Sequence, residues 1–192
     1  MISKGIFSRG FIVLSIACLL GGCSSSRYMY TIVGGEYDEK KDVTDYFVLP
    51  LGQVALPGKW KKTSYNQTSR QQFFKNQDSI SVAIAFGLVN KFEFNGDGSL
   101  KGFDFVEAFY KWDADYFESQ GIKSQILESD KTKNYMIYRL YGKYNDENID
   151  NYYIVRAKDN GSYSSYGLNN ADKWTEDEKI QFLKNLLLPS DE

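Results

Sequence analysis

The chain has no histidine, and its only two cysteines are Cys18 and Cys23. Ser-His-Asp and Cys-His catalysis, and the usual zinc and copper sites, therefore have no side chains to draw on. Chemistry near neutral pH would rest on carboxylates, lysine or tyrosine. Asp113, Asp115 and Glu118 fall within one stretch of helical pattern. Paired carboxylates divide acid and base roles in glycosidases, but at these spacings they equally make the polar side of an amphipathic helix. Asn95, Asp97 and Ser99 alternate as the oxygen ligands of a calcium loop do. Leu100 and Val106, however, stand where an EF-hand needs glycine and glutamate, so a plain turn is expected. Asp146, Glu147 and Asp150 could hold a hard cation or form an ordinary charged loop. These readings leave no cofactor, no metal and no catalytic residue expected.

Two further groups suit recognition. Lys59, Lys61 and Lys62 with Arg70 could touch anionic headgroups, or protect an edge strand from pairing with another chain. Tyrosines crowd the region from Tyr135 to Tyr166. The candidate binding residues among them are Tyr135, Tyr138, Tyr141, Tyr144, Tyr152 and Tyr153, with Tyr163 and Tyr166 close by. Alternation puts Tyr135 and Tyr141 on one face of a strand and Tyr138 and Tyr144 on the other. Tyrosine combines a large apolar area with a polar tip, which suits protein or sugar surfaces. It suits cross-strand pairing in a half-buried sheet as well.

The elements that must position these residues follow from periodicity. Short strands are expected over 46–49 and 53–56, and a hairpin from 71–75 and 79–86. Ile80, Val82, Ile84 and Phe86 should share one face of that hairpin's second strand, with Ala83 and Ala85 on a small face where a helix can pack. A helix is expected from Phe105 to Gln120, capped by Asp104 and stopped at Gly121. A second hairpin should join 124–128 to 134–144, followed by strands over 152–158 and 163–168. Thr175 and Glu178 form a capping box for a last helix, with Ile180, Leu183 and Leu187 on its buried face and Pro189 at its end. The fold class expected is α+β, an antiparallel β-sheet flanked by helices on both faces. The globular domain is expected over residues 46–192.

The start of the chain reads as a processing signal. Lys4 and Arg9 precede an apolar run from Phe11 to Leu20, which is too short to span a bilayer. Leu20-Gly21-Gly22-Cys23 resembles the lipobox of bacterial lipoproteins, which implies cleavage after residue 22 and lipid on Cys23. Residues 1–22 are then the signal, and residues 23–45 a lipidated N-terminus and tether that includes the polar tract Ser24-Ser25-Ser26-Arg27 and one segment of strand composition, Tyr28 to Val33, stopped by Gly34-Gly35. Loss of Lys4 and Arg9 takes the formal net charge from −2 to −4. No concentrated basic face marks a nucleic-acid binder.

The order of elements, with Leu56-Pro57-Gly58-Lys59-Trp60 as a proline-tryptophan turn near its start, resembles the PsbP-like fold. That is the family of the photosystem II extrinsic protein and its bacterial relatives. The whole also resembles lipoproteins of Bacteroidetes-type bacteria. The resemblance spans roughly Tyr46 to Leu188. It implies an α/β/α sandwich with no shared catalytic residues and a role in binding or assembly. The function expected is that of a non-catalytic envelope module, anchored to a membrane through Cys23 and meeting an envelope protein or glycan. In a host with two membranes it would sit on the periplasmic side of the outer membrane. The alternatives are a small-molecule- or glycan-binding lipoprotein and, third, a carboxylate-based hydrolase.

Overall fold

A computed structural model describes residues 31–187. The segment read as a signal, Cys23 and Pro189 lie outside the described residues. Eleven strands and two helices follow in the order β1 (Ile32–Gly34), β2 (Tyr37–Asp38), β3 (Val43–Leu49), β4 (Gly52–Pro57), β5 (Lys61–Asn66), β6 (Gln71–Lys75), β7 (Ser81–Leu88), α1 (Gly102–Glu118), β8 (Lys123–Asp130), β9 (Tyr135–Tyr144), β10 (Glu147–Ala157), β11 (Ser162–Asn169) and α2 (Glu176–Leu187). β3 pairs with β1, β2 and β4 in a small sheet. The other seven strands form a large sheet in the order β5-β6-β7-β11-β10-β9-β8. Every pairing is antiparallel. Among the described residues no helix is long and apolar enough to cross a membrane.

Alternation along the large sheet feeds two cores. Val82, Ile84 and Phe86 of β7, Tyr135 and Ile137 of β9, and Tyr152 and Ile154 of β10 enter a first core with Tyr46, Leu56, Trp60, Phe74 and Leu183. The intervening Ala85, Met136, Tyr138, Leu140 and Val155 enter a second core with Phe105, Val106 and Phe109 of α1. The period-2 pattern thus serves both faces, because each is covered.

The α+β class is as expected. The covering layers are not helices alone. α1 packs over β8, β9 and β10, while the first core is shared between α2 and the small sheet. The small face of β7 lies beneath aromatic rings, with Ala85 sharing the second core with Phe105 and Phe109 of α1. Tyr163 stands directly across from Gly87, and a Cβ at Gly87 would come within 2.6 Å of its ring. Phe92, in the short turns after β7, sits 5.1–5.6 Å from Phe94, Phe105, Phe109, Trp112 and Tyr163.

Strand pairing is present before residue 46. β1 pairs with Phe47, Val48 and Leu49, so part of the segment expected to be a tether belongs to the small sheet. The charges of residues 36–42 hide this, because they belong to a turn. Asp38 accepts the backbone N–H groups of Lys40 and Lys41 at 2.9 and 3.3 Å, and Thr44 and Tyr46 then point inward. α1 also starts earlier than expected. It begins at Gly102, its N-cap Lys101 makes no side-chain capping bond, and Asp104 lies in the first turn without capping it. α2 is capped as expected, with Thr175 N–H donating to Glu178 Oε2 at 2.7 Å and Glu178 N–H to Thr175 Oγ1 at 3.3 Å. Leu183, Leu186 and Leu187 are buried, whereas Ile180 is only half-buried at the edge of the first core.

Candidate functional site

The tyrosines do not assemble one surface. Tyr135 and Tyr152 are buried in the first core and Tyr138 in the second. Tyr153 is half-buried against the second core, and its ring covers Gly167, where a Cβ would lie 2.6 Å away. Tyr141 is half-buried, and Tyr144 is 46% exposed. The expected alternation holds, but both faces of the sheet are covered, so of the six only Tyr144 is exposed. Tyr135, Tyr138 and Tyr152 thus follow the cross-strand packing alternative and not the recognition one.

Instead, the buried phenols donate to carboxylates. Tyr138 Oη donates to Asp113 Oδ2 at 2.6 Å, joining β9 to α1. Tyr138 stacks on Tyr153 with centroids 5.3 Å apart and meets Tyr110 edge-on at 5.1 Å. Burial pushes the Asp113 carboxyl up to about 6, and the Tyr138 hydrogen bond only partly opposes it. The same burial, with Asp113 alongside, pushes the Tyr138 hydroxyl well above its ordinary value. Asp115 is exposed. Glu118 accepts from Ser124 Oγ at 2.8 Å, and Ser124 lies 3.1 Å from Tyr110 Oη. The three helix carboxylates therefore point to different surroundings and do not face one another as an acid–base pair.

A second cluster joins β9 and β10 to α2. Asp150 lies 2.5 Å from Arg139 Nε and 3.1 Å from Lys179 Nζ. Burial raises the Asp150 carboxyl, but hydrogen bonds from Arg139 and Lys179 outweigh it and hold the group below the ordinary range. Lys179 is 5% exposed and sits over the Tyr152 ring at 4.5 Å. Tyr152 Oη donates to Glu176 at 3.2 Å, and burial pushes its hydroxyl up to about 12. A third contact pairs Glu128 of β8 with Lys184 at 2.7 Å and takes a hydrogen bond from Tyr135. Sequence reasoning missed Arg139 and Lys179. The available signal was a lysine on the same helix face as Leu183 and Leu186.

The other acidic candidates are also committed locally. Asn145 and Asp146 both have positive φ, 48° and 67°, and form the two-residue turn of the β9–β10 hairpin. Asp146 and Glu147 are exposed there, while Asp150 is turned toward Arg139. Asn95 is buried. Its amide donates to the carbonyls of Val89 and Leu100 and accepts from Leu100 N–H at 2.8 Å, so it braces a turn. Among the described residues no three candidate metal ligands converge.

One open groove of about 740 Å³ lies between the small sheet and β5–β6, with Lys59, Trp60, Lys61, Lys75 and Asp78 among its lining residues. Lys61 and Lys75 stand directly across from each other, and like charges in that position destabilise a strand pair. Lys62 turns away and lies over the Tyr46 ring at 5.6 Å. Arg70 sits in the β5–β6 turn with φ 55° and does not line the groove. No protein-family model matches the chain, and no curated protein matches it.

Proposed function

We propose that the protein is a lipoprotein of the cell envelope, held to a membrane through lipid on Cys23, that acts without catalysis as a binding or assembly module. One observation carries the non-catalytic reading. Three half-buried carboxylates are engaged by a phenol or a cation that ties strand to helix: Asp113 by Tyr138, Asp150 by Lys179, with Arg139 alongside, and Glu128 by Lys184. A hydrolase needs two carboxylates facing one cleft; in the groove Asp42 and Asp78 stand among Lys59, Lys61 and Lys75, and Asp42 is taken up by a hydrogen bond from Tyr37 Oη at 2.7 Å. The likeness to PsbP-like domains is part of the same proposal. A helix against each face of an antiparallel sheet supports it, and the small sheet beside α2 is an addition to the expected pattern. In a host with two membranes we place the domain on the periplasmic side of the outer membrane, because Ser24 is not the aspartate that commonly retains lipoproteins on the inner one.

A second reading, a lipoprotein that binds a small molecule or glycan, draws on the groove. Its Lys61–Lys75 juxtaposition favours an anionic ligand over a neutral one. Metabolic labelling with a fatty-acid analogue tests the anchor. Label and membrane association should both disappear in Cys23→Ser, and label that persists overturns the assignment. Crosslinking in cells followed by mass spectrometry tests the binding role and should recover a recurrent envelope partner. Turnover of glycoside or ester substrates, abolished by a single Asp or Glu substitution, would overturn the non-catalytic reading.

A further inference from the structure

The end of the small sheet where the chain enters the domain is apolar and uncharged. Ile32, Val33 and Leu49 are 62%, 54% and 41% exposed. Ile32 stands directly across from Leu49, so the two share a face. The turn joining β3 to β4 reads Val48-Leu49-Pro50-Leu51-Gly52, closed by Leu51 N–H donating to Val48 C=O at 2.7 Å, and Pro50 is exposed. Exposed turns ordinarily carry polar residues whose side chains bond to the turn or to water. Here no charged residue occurs from Tyr46 to Gly58 or from Tyr28 to Gly35, in a chain that is 25% charged overall. The apolar surface continues along β3, where the Phe47 ring lies so close to Gly34 that a Cβ there would come within 2.5 Å.

We propose that this tip rests on the surface of the phospholipid bilayer that holds the anchor, an inference that depends on the reading of Cys23 as lipidated. Chain length sets the geometry. At full extension the segment from Cys23 to Ile32 reaches at most roughly 30 Å, and it joins the domain at the tip itself. The uncharged end is therefore the part of the domain held nearest the membrane. Aliphatic side chains entering the headgroup boundary to a depth of about 5–10 Å leave water without carrying a charge with them.

The test uses the full chain, processed and acylated in a bacterial host and reconstituted into vesicles of phosphatidylethanolamine and phosphatidylglycerol. Leu49→Cys supplies the free thiol of the processed chain for an environment-sensitive fluorophore. Tyr65→Cys on β5 and Ile126→Cys on β8, both exposed on edge strands of the large sheet, serve as references. Emission at position 49 should shift to the blue and be quenched by brominated lipid at least about two-fold more than at either reference, as expected for a residue in the interface. Ile32→Cys, on the same face as Leu49, should behave as Leu49→Cys does and covers the case in which one substitution unfolds the tip. Acylated protein that pellets with vesicles while positions 32 and 49 behave like the references overturns the docked tip and leaves the anchor standing. Protein that carries no lipid and stays in the supernatant overturns both. Disulfide crosslinking between two copies through position 49, without quenching by brominated lipid, assigns the tip to a second copy and overturns the proposal.

Discussion

Replacing Asp113 with Asn should make the domain more stable near neutral pH and leave it unchanged in acid. The Asp113 carboxyl is raised from 3.8 to about 6 in the folded chain, first by burial, with the Tyr138 hydrogen bond opposing. As pH rises through that window the unfolded chain ionises first, so the folded chain holds more protons and stability falls, levelling off above the folded value. One unit corresponds to about 1.4 kcal/mol, so the ionised carboxylate costs roughly 3 kcal/mol above the window, less whatever hydration its half-exposed side regains. Asn is neutral and keeps an oxygen to accept from Tyr138. Urea unfolding of both proteins should show Asp113→Asn ahead by about 1–3 kcal/mol at about pH 7.5, with the difference vanishing at about pH 3, below the unfolded value. Asp150 and Glu128, held below their ordinary range, contribute stability that is lost as pH falls. They do so in both proteins and cancel in the comparison. A variant less stable than its parent at the higher pH, or a difference that does not change with pH, would refute the account.

Asp150→Asn should cost about 3–5 kcal/mol, because it weakens the counter-charge to a lysine that is almost wholly buried. Adding Lys179→Met should recover most of that loss, and a double variant no more stable than the single one would contradict the role given to the pair. Leu183 is fully buried in the first core, so Leu183→Ala should cost about 2–5 kcal/mol. A thermal scan should show a drop of several degrees, and a shift of under about a degree would mean that α2 contributes little to the fold.

How much was legible before the structure depended on whether a local pattern decided the outcome. The β6–β7 and β8–β9 hairpins and α2 were readable because alternation, turn residues and the Thr175–Glu178 box act over a few residues. The start of α1 was not. Asp104 precedes the apolar run as a cap would, yet the helix begins at Gly102, whose φ of +53° turns the chain into it. The aromatic turns at Phe92 and Phe94 carry no period, and their burial depends on Phe105, Phe109 and Tyr163 closing over them. Lys179 looks like surface charge until Asp150 is known to sit opposite, a contact between residues far apart in sequence. The tyrosine alternation was correct, but alternation cannot tell whether the second face of a sheet meets water or a helix.

That second face accounts for how little exposed chemistry the domain carries. A sheet covered on both sides can bury tyrosine rings cheaply, but each hydroxyl then needs an acceptor, since an unsatisfied buried polar group is costly. Asp113, Glu128 and Glu176 supply acceptors to Tyr138, Tyr135 and Tyr152. In doing so they tie β9 to α1, β9 to β8, and β10 to α2. The two residue types that in the sequence suggested a recognition surface and an acid–base pair are thus spent on each other inside the fold. The groove with its opposed Lys61 and Lys75 and the uncharged tip at Ile32 and Leu49 stand at the surface instead. One is suited to an anion and the other to an apolar phase, chemistry that the packing of the fold does not use.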